Sequence, residues 1–167
     1  MSATLPPWAQ VSAKRRAHIE RVAGLIAEWA DAMDVAARER GRWLKAAYLH
    51  DALRDAPLAD QLAHGPAAAD RAAREGETDQ GVLDAVRYHT VGYTGWDDAG
   101  RMLYLADFLE PGRKFAAHER RALARRVPGE RDAVLKEVVR WRIEWVLGSG
   151  WPLVPETVGL WNALVSR

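Results

Sequence analysis

The sequence predicts an all-α protein, and three observations predict it. Apolar residues recur at helical spacing in one segment after another. Alternation of the kind that marks strands never runs beyond a few residues. Proline, glycine and capping residues punctuate the chain at intervals suited to helices of ordinary length. With 167 residues, 49% of them hydrophobic, the chain suits a single domain with a real core, spanning 1–167. Its body is expected over about 12–127, with C-terminal helices over 130–167 packing on it.

Ser12 suits an N-cap, and the helix after it runs to about Trp29 or Ala32. Val22, Leu25, Ile26 and Trp29 form its apolar stripe, which His18 continues one turn earlier. A second helix starts near Asp34 and runs through RWLKAAYLHDAL, with Gly41 as a soft spot. Pro57 breaks the chain. HGPAAADRAAREG then reads as a helix with Pro66 in its first turn. TDQGVLDAVRYHT is a fourth helix, with Val82, Val86 and His89 on one face; VGYTGW is a loop; DDAGRMLYLADFLE is a helix with an acidic start, ended by Pro111. Two helices are expected around 115–127 and 130–147. GSGWP is a turn, and PETVGLWNALVSR closes the chain as a short helix. The eight tryptophans read mostly as core or helix-packing residues.

Composition narrows the function classes. There are 24 Lys+Arg against 23 Asp+Glu, so overall charge makes no case for nucleic acid as a partner. Basic clusters do occur, at 14–16, 119–126 and 140–142, and solvated helix faces account for most of them. The absence of cysteine excludes disulfides, Cys-ligated zinc, Fe–S clusters and a thiol nucleophile. With no apolar leader and no membrane-length apolar run, a soluble cytoplasmic protein is the expectation.

The histidines carry the chemistry. His118, in AAHERRA, reads as a surface residue. His18, His50, His64 and His89 lie at or near the apolar sides of four different helices, where burial favours the neutral, metal-binding imidazole. Asp51 and Asp107 stand in equally apolar company, and a buried unpaired carboxylate is costly. A lone buried histidine is more often a satisfied core residue than a ligand. Several such groups converging from separate helices make sense when a cation holds them. The His50–Asp51 pair reads either as hydrogen-bonded partners or as two ligands of one ion. A nitrogen and oxygen donor set without sulfur suits Fe(II), Mn(II) or Zn(II), leaning towards iron or manganese.

The order His18, His50–Asp51, His64, His89, Asp107 resembles the HD-domain superfamily of metal-dependent phosphohydrolases. It looks most like the YqeK family of symmetrical diadenosine tetraphosphate hydrolases. Arg15–His18, HDALR at 50–54, HGPAAA at 64–69, RYHT at 87–90, LADFLEPGR at 105–113 and PETVGLWNALV at 155–165 carry the likeness. The resemblance implies an HD-type helical bundle. His18, His50, Asp51 and Asp107 would be metal ligands. His64 and His89 would contact phosphate or a second metal. Arg15 and Arg113 would face the nucleotide phosphates, and the stretch from Pro155 to Leu160 would line the nucleotide pocket. Thr90, Pro155 and Thr157 thereby become candidates for the substrate side, and Asp51, Arg54, His64 and His89 for the catalytic side. The implied reaction converts diadenosine tetraphosphate to two ADP with a divalent transition metal, iron foremost.

The chemistry of the residues agrees with that reading. A metal-bound water deprotonates readily, and the ion polarises a phosphoryl oxygen. Arg15, Arg54 and Arg113 can neutralise charge on phosphate, and Asp51 can accept a proton. Two departures stand out. Arg54 occupies the place where these relatives carry lysine, and only residues 52–63 separate Asp51 from His64, a connection longer in the relatives. Two alternatives stay open: hydrolysis of another nucleotide or phosphate ester, and a non-catalytic nucleotide-binding module. A homodimer is also open.

Overall fold

A computed structural model describes residues 3–166; the ends of the expected 1–167 domain, Met1, Ser2 and Arg167, lie outside the described residues. The described chain is all-helical. Its helices are α1 (Ala13–Ala32), α2 (Ala37–His50), α3 (His64–Arg74), α4 (Gln80–Tyr88), α5 (Asp98–Leu109), α6 (Ala117–Gly148) and α7 (Pro155–Val165). A 3₁₀ turn at Gln61–Ala63 leads into α3. No helix among the described residues is long and apolar enough to cross a membrane.

Local chemistry sets the helix starts. The Ser12 side chain accepts from Arg15 N and opens α1, as expected. Asp79 does the same for α4 through Val82 N, and Asp97 for α5 through Ala99 N. The apolar faces of α1, α2, α4 and α5 meet in one core. Ile26, Trp43, Leu103 and Leu105 are at most 1% exposed there, and truncating such residues to alanine costs about 2–5 kcal/mol. Val134, Leu135, Val138, Val139 and Leu160 join the same cluster, which seats the C-terminal helices on the rest.

One expectation needs correction. The second helix does not start near Asp34 or run through Leu53; it spans Ala37–His50, and Asp51 is its C-cap with φ −107° and ψ 14°. From there the chain tightens into bonds three residues apart, Ala52 N to Leu49 O at 3.1 Å and Arg54 N to Asp51 O at 2.9 Å. This turn moves Asp51 out of the helical spiral. The two helices expected at 115–127 and 130–147 are both present, as the two segments of α6, and they meet at a kink where Glu130 stands at φ −139° and ψ 37°. Pro128 lacks the N–H that would bond Ala124 O, and the Trp29 indole N–H takes that carbonyl at 2.9 Å.

Gly65 permits one further close approach. A Cβ there would stand 2.9 Å from Arg87 O and 3.0 Å from Val86 O. Its absence lets the start of α3 lie against the end of α4, bringing His64 beside His89.

Candidate metal centre

Six side chains converge from the first five helices. His18 comes from within α1, His50 ends α2, Asp51 caps it, His64 begins α3, His89 caps α4 and Asp107 lies in the last turns of α5. The four histidines and Asp51 are buried; Asp107 is partly exposed at the cluster's edge.

Three histidines have their tautomer set by the backbone. The Nδ1 of His50 lies 2.6 Å from Ala47 O, that of His64 2.7 Å from Gln61 O, and that of His89 2.7 Å from Val86 O. A carbonyl only accepts, so each Nδ1 carries the proton and donates it. In the neutral ring each Nε2 is therefore a lone pair. His18 Nδ1 faces Glu110 Oε1 at 3.4 Å in the same manner.

Those lone pairs point at carboxylates. His18 Nε2 is 3.0 Å from Asp107 Oδ1 and 3.5 Å from Asp51 Oδ2, and His50 Nε2 is 3.6 Å from Asp51 Oδ2. On the other side of Asp51, Oδ1 lies 3.3 Å from Nε2 of both His64 and His89. His18 Nε2 and His50 Nε2 are buried without a hydrogen-bond partner. Acceptors facing acceptors in a buried space repel unless a proton or a cation sits between them. The separations suit a cation: bonds of about 2.0–2.2 Å at right angles put neighbouring donors roughly 3 Å apart. His18, His50 and Asp107 form one group that could hold an ion, and His50, Asp51 and His89 another. The donor set is wholly nitrogen and oxygen, as iron, manganese or zinc accept. The residues fit a metal.

The charges respond accordingly. Burial opposes ionisation of Asp51, yet the attraction of His50, His64 and His89 outweighs it and holds the carboxyl well below its ordinary range. Asp107 is likewise opposed by burial and held low by His18 and His50. For His18, burial lowers the pKa but Asp107 and Glu110 overcome this and raise it to about 9. A site that draws a proton this strongly favours positive charge at its centre.

Behind the cluster stands a residue that sequence reading left out of the site. Glu110 is 2% exposed, accepts Arg21 Nε at 2.6 Å and Gly112 N at 2.8 Å, and orients the His18 ring. Burial raises its pKa, but His18, Arg21 and the Gly112 amide bring it down to about 2. A glutamate three residues after Asp107, closing an apolar helix before proline, was the available signal.

The cluster forms the floor of a cleft of about 830 Å³, within the range of small-molecule sites. Asp51, His64, His89 and Asp107 lie at its base, and Arg15, Arg54, Arg113 and Arg142 on its walls. Arg15 Nη1 donates to Asp51 Oδ2 at 2.9 Å, and Arg113 Nη2 to Asp107 Oδ1 at 3.1 Å. Arg142 reaches from α6 to Thr90 O at 3.2 Å. Thus two basic clusters expected on solvated faces each supply one arginine to the cleft.

Thr90 and Thr157 line the cleft, but the Thr157 hydroxyl is donated to Val91 O at 2.6 Å and ties α7 to the loop after α4. Pro155 opens α7 as an exposed residue outside the lining, where Trp151–Val154 stand instead. His118 is exposed and remote from the cluster's contacts, as expected. The short connection contributes Ala59, Asp60, Gln61 and Leu62 to one wall.

The chain belongs to the HD domain family: the family profile matches residues 15–112. All six converging residues fall inside that span. Two curated relatives are each named symmetrical bis(5'-nucleosyl)-tetraphosphatase. The one from Bacillus subtilis (strain 168) is 33% identical over 108 residues, 64% of this chain and 56% of the relative. The one from Halalkalibacterium halodurans is 31% identical over 110 residues, again 64% of this chain and 56% of the relative. The match thus spans little more than half the length of either relative. A crystal structure of a predicted HD superfamily hydrolase involved in NAD metabolism from Clostridium acetobutylicum shares the fold. It aligns with a TM-score of 0.80 over 94% of this chain and 92% of that one, at 22% identity.

Proposed function

We propose that this chain is a metal-dependent phosphohydrolase acting on a nucleotide polyphosphate, and that diadenosine tetraphosphate, cleaved to two ADP, is its substrate. One observation carries the reading: lone pairs of buried histidines and ionised aspartates face one another on the floor of a cleft walled by four arginines. Such a floor suits a cation and such walls suit phosphates. The similarity to relatives named for that reaction supports the substrate.

His18, His50, Asp51 and Asp107 would hold the ion, with iron favoured by the mixed imidazole and carboxylate donors and manganese a close second. When bound, the ion supplies Lewis acidity and makes a water easier to deprotonate. The chain's residues do the rest. Arg15, Arg54, Arg113 and Arg142 bind the polyphosphate and offset the charge that grows during attack. Asp51 stays ionised and fixes the attacking water by accepting its hydrogen bond. His64 and His89, each with Nδ1 committed to a carbonyl, keep Nε2 towards Asp51 and can take up a proton there, or seat a second ion. A nucleotide polyphosphate substrate would suit a cytoplasmic enzyme.

Chromatography of the products from diadenosine tetraphosphate, with iron or manganese supplied, tests this. ADP alone is expected. ATP with AMP would show attack at the wrong phosphate, and no cleavage with either metal would refute the substrate. Diadenosine triphosphate, ATP and the guanosine analogue should be used with kcat/KM values within about a thousandfold of the first, because the short 52–63 connection covers less of the nucleotide.

A further inference from the structure

Of the eight tryptophans, Trp145 and Trp151 alone stand more than half exposed among the described residues, at 53% and 54%. Trp29, Trp43 and Trp96 are buried, and Trp8, Trp141 and Trp161 are packed against the core. Two wet indoles side by side are a costly surface that packing does not explain.

Their placement is specific. Both line the same cleft as the His/Asp cluster, and Trp145 lies one helical turn beyond Arg142 on α6. Their ring centroids are 5.0 Å apart at an interplanar angle of 88°, so the edge of one indole meets the face of the other and the pair forms a corner. The backbone fixes that corner. Gly150, at φ +73°, ends α6 in a Schellman turn: Trp151 N bonds Val146 O at 3.1 Å and Gly150 N bonds Leu147 O at 3.0 Å. The Ser149 hydroxyl adds a bond to Trp145 O at 2.8 Å. Trp151 is thus held against Trp145 by the helix end itself. Around them the cleft is apolar, through Val146, Pro152, Leu153 and Val154. The buried Asp51, His64 and His89 and the exposed Trp145, Trp151 and Pro152 all belong to this one lining.

We propose that Trp145 and Trp151 form the nucleobase seat of this cleft, stacking one adenine while Arg142 and the floor hold the phosphates attached to it. This rests on the reading of the cleft as a nucleotide polyphosphate site. Every base presents a π-face, so a stacking seat grips adenine and guanine almost equally. It also supplies binding energy remote from the reacting phosphate.

Calorimetric titration of ADP and, separately, of inorganic pyrophosphate into the manganese-loaded protein tests the seat. Trp145→Ala and Trp151→Ala should each weaken ADP about tenfold, as loss of one stacking partner does, while pyrophosphate binding stays within about twofold. Trp151→Phe, which keeps a ring, should recover most of the loss. With diadenosine tetraphosphate the same variants should raise KM more than they lower kcat. Unchanged ADP affinity in both alanine variants overturns the seat, as does an equal loss of pyrophosphate. Dissociation of a dimer with ADP affinity intact also overturns it and assigns the pair to a subunit interface. If wild-type protein binds pyrophosphate but not ADP, the seat falls and a phosphate site remains. If it binds neither and hydrolyses no polyphosphate, the reading of the whole cleft falls with it.

Discussion

Two charged clusters in this molecule look alike in composition and differ in kind. Around Arg42, three carboxylates converge: Asp79 at 2.6 Å from Nε, Asp97 at 2.6 Å from Nη2 and Glu39 at 2.9 Å from Nη1. Every acceptor there has a donor, and the centre of the cluster is a cation that belongs to the chain. Asp79 and Asp97 also cap α4 and α5, so Arg42 on α2 ties two helix starts together. Around Asp51 the histidine Nδ1–H groups point outwards to carbonyls, Arg15 and Arg113 each reach one carboxylate oxygen from the cleft wall, and His18 Nε2 and His50 Nε2 are left buried without a partner. The first cluster is closed; the second is completed by something the chain does not supply. Unsatisfied convergence, more than the mere density of charge, separates a binding site from a structural tie.

The comparison breaks first at the ligands. His50→Ala or Asp51→Ala should abolish metal retention and lower turnover of diadenosine tetraphosphate by at least about a thousandfold, several kcal/mol of transition-state stabilisation. Metal-free Asp51→Asn protein should melt lower than metal-free wild type, because the ionised carboxylate is held by Arg15 and the surrounding histidines, and a carboxyl lowered on folding adds stability. Metal content, turnover and thermal melting check the two claims together.

Glu110→Gln should act more mildly. The side chain keeps its shape but loses the charge that orients His18 and pairs with Arg21. Metal affinity is expected to weaken about 10–100-fold, measured by competition with a chelator, with the fold intact by circular dichroism.

Arg42→Ala should do the reverse of the ligand variants: stability falls by about 1–3 kcal/mol in denaturant unfolding while metal content is unchanged. The pH dependence has a definite sign. Arg42 and the backbone amides of α4, against a smaller opposing effect of burial, lower Asp79 from 3.8 to about 2. A carboxyl lowered on folding adds stability that is present above its unfolded value and lost as pH falls through the folded one. Wild type should therefore lose this increment between pH 3.8 and 2, and Arg42→Ala should lose much less there. His118→Ala sits at the small end, within about 0.5 kcal/mol in stability and with metal retained.

One side of this contrast, the Asp51 cluster, was legible in the sequence, and the Arg42 tie was not. Helical spacing and caps such as Ser12 set the elements, and the improbable burial of four histidines and two aspartates pointed to a shared centre. What escaped was whatever depended on three-dimensional closure. The turn at Asp51 follows from bonds to Leu49 and from Arg54 that no local propensity announces. The support of the kink in α6 comes from Trp29, 95 residues from Ala124 in the chain, whose indole N–H takes the carbonyl that Pro128 leaves free. Glu110 reads as a helix end until His18 and Arg21 arrive beside it. Arg142, Trp145 and Trp151 reach the cleft only because α6 packs over α5, and a helical pattern cannot say which neighbour a half-exposed face will meet.

The central claim is that the chain's own donors leave a place for a metal. Elemental analysis of protein purified without chelators, followed by titration of the stripped protein with Fe(II) and Mn(II), measures it directly. At least one transition-metal ion per chain is expected, retained on purification or taken up on titration, and absent from Asp51→Ala. No bound metal and no uptake by wild type, or full uptake by Asp51→Ala, would contradict the account.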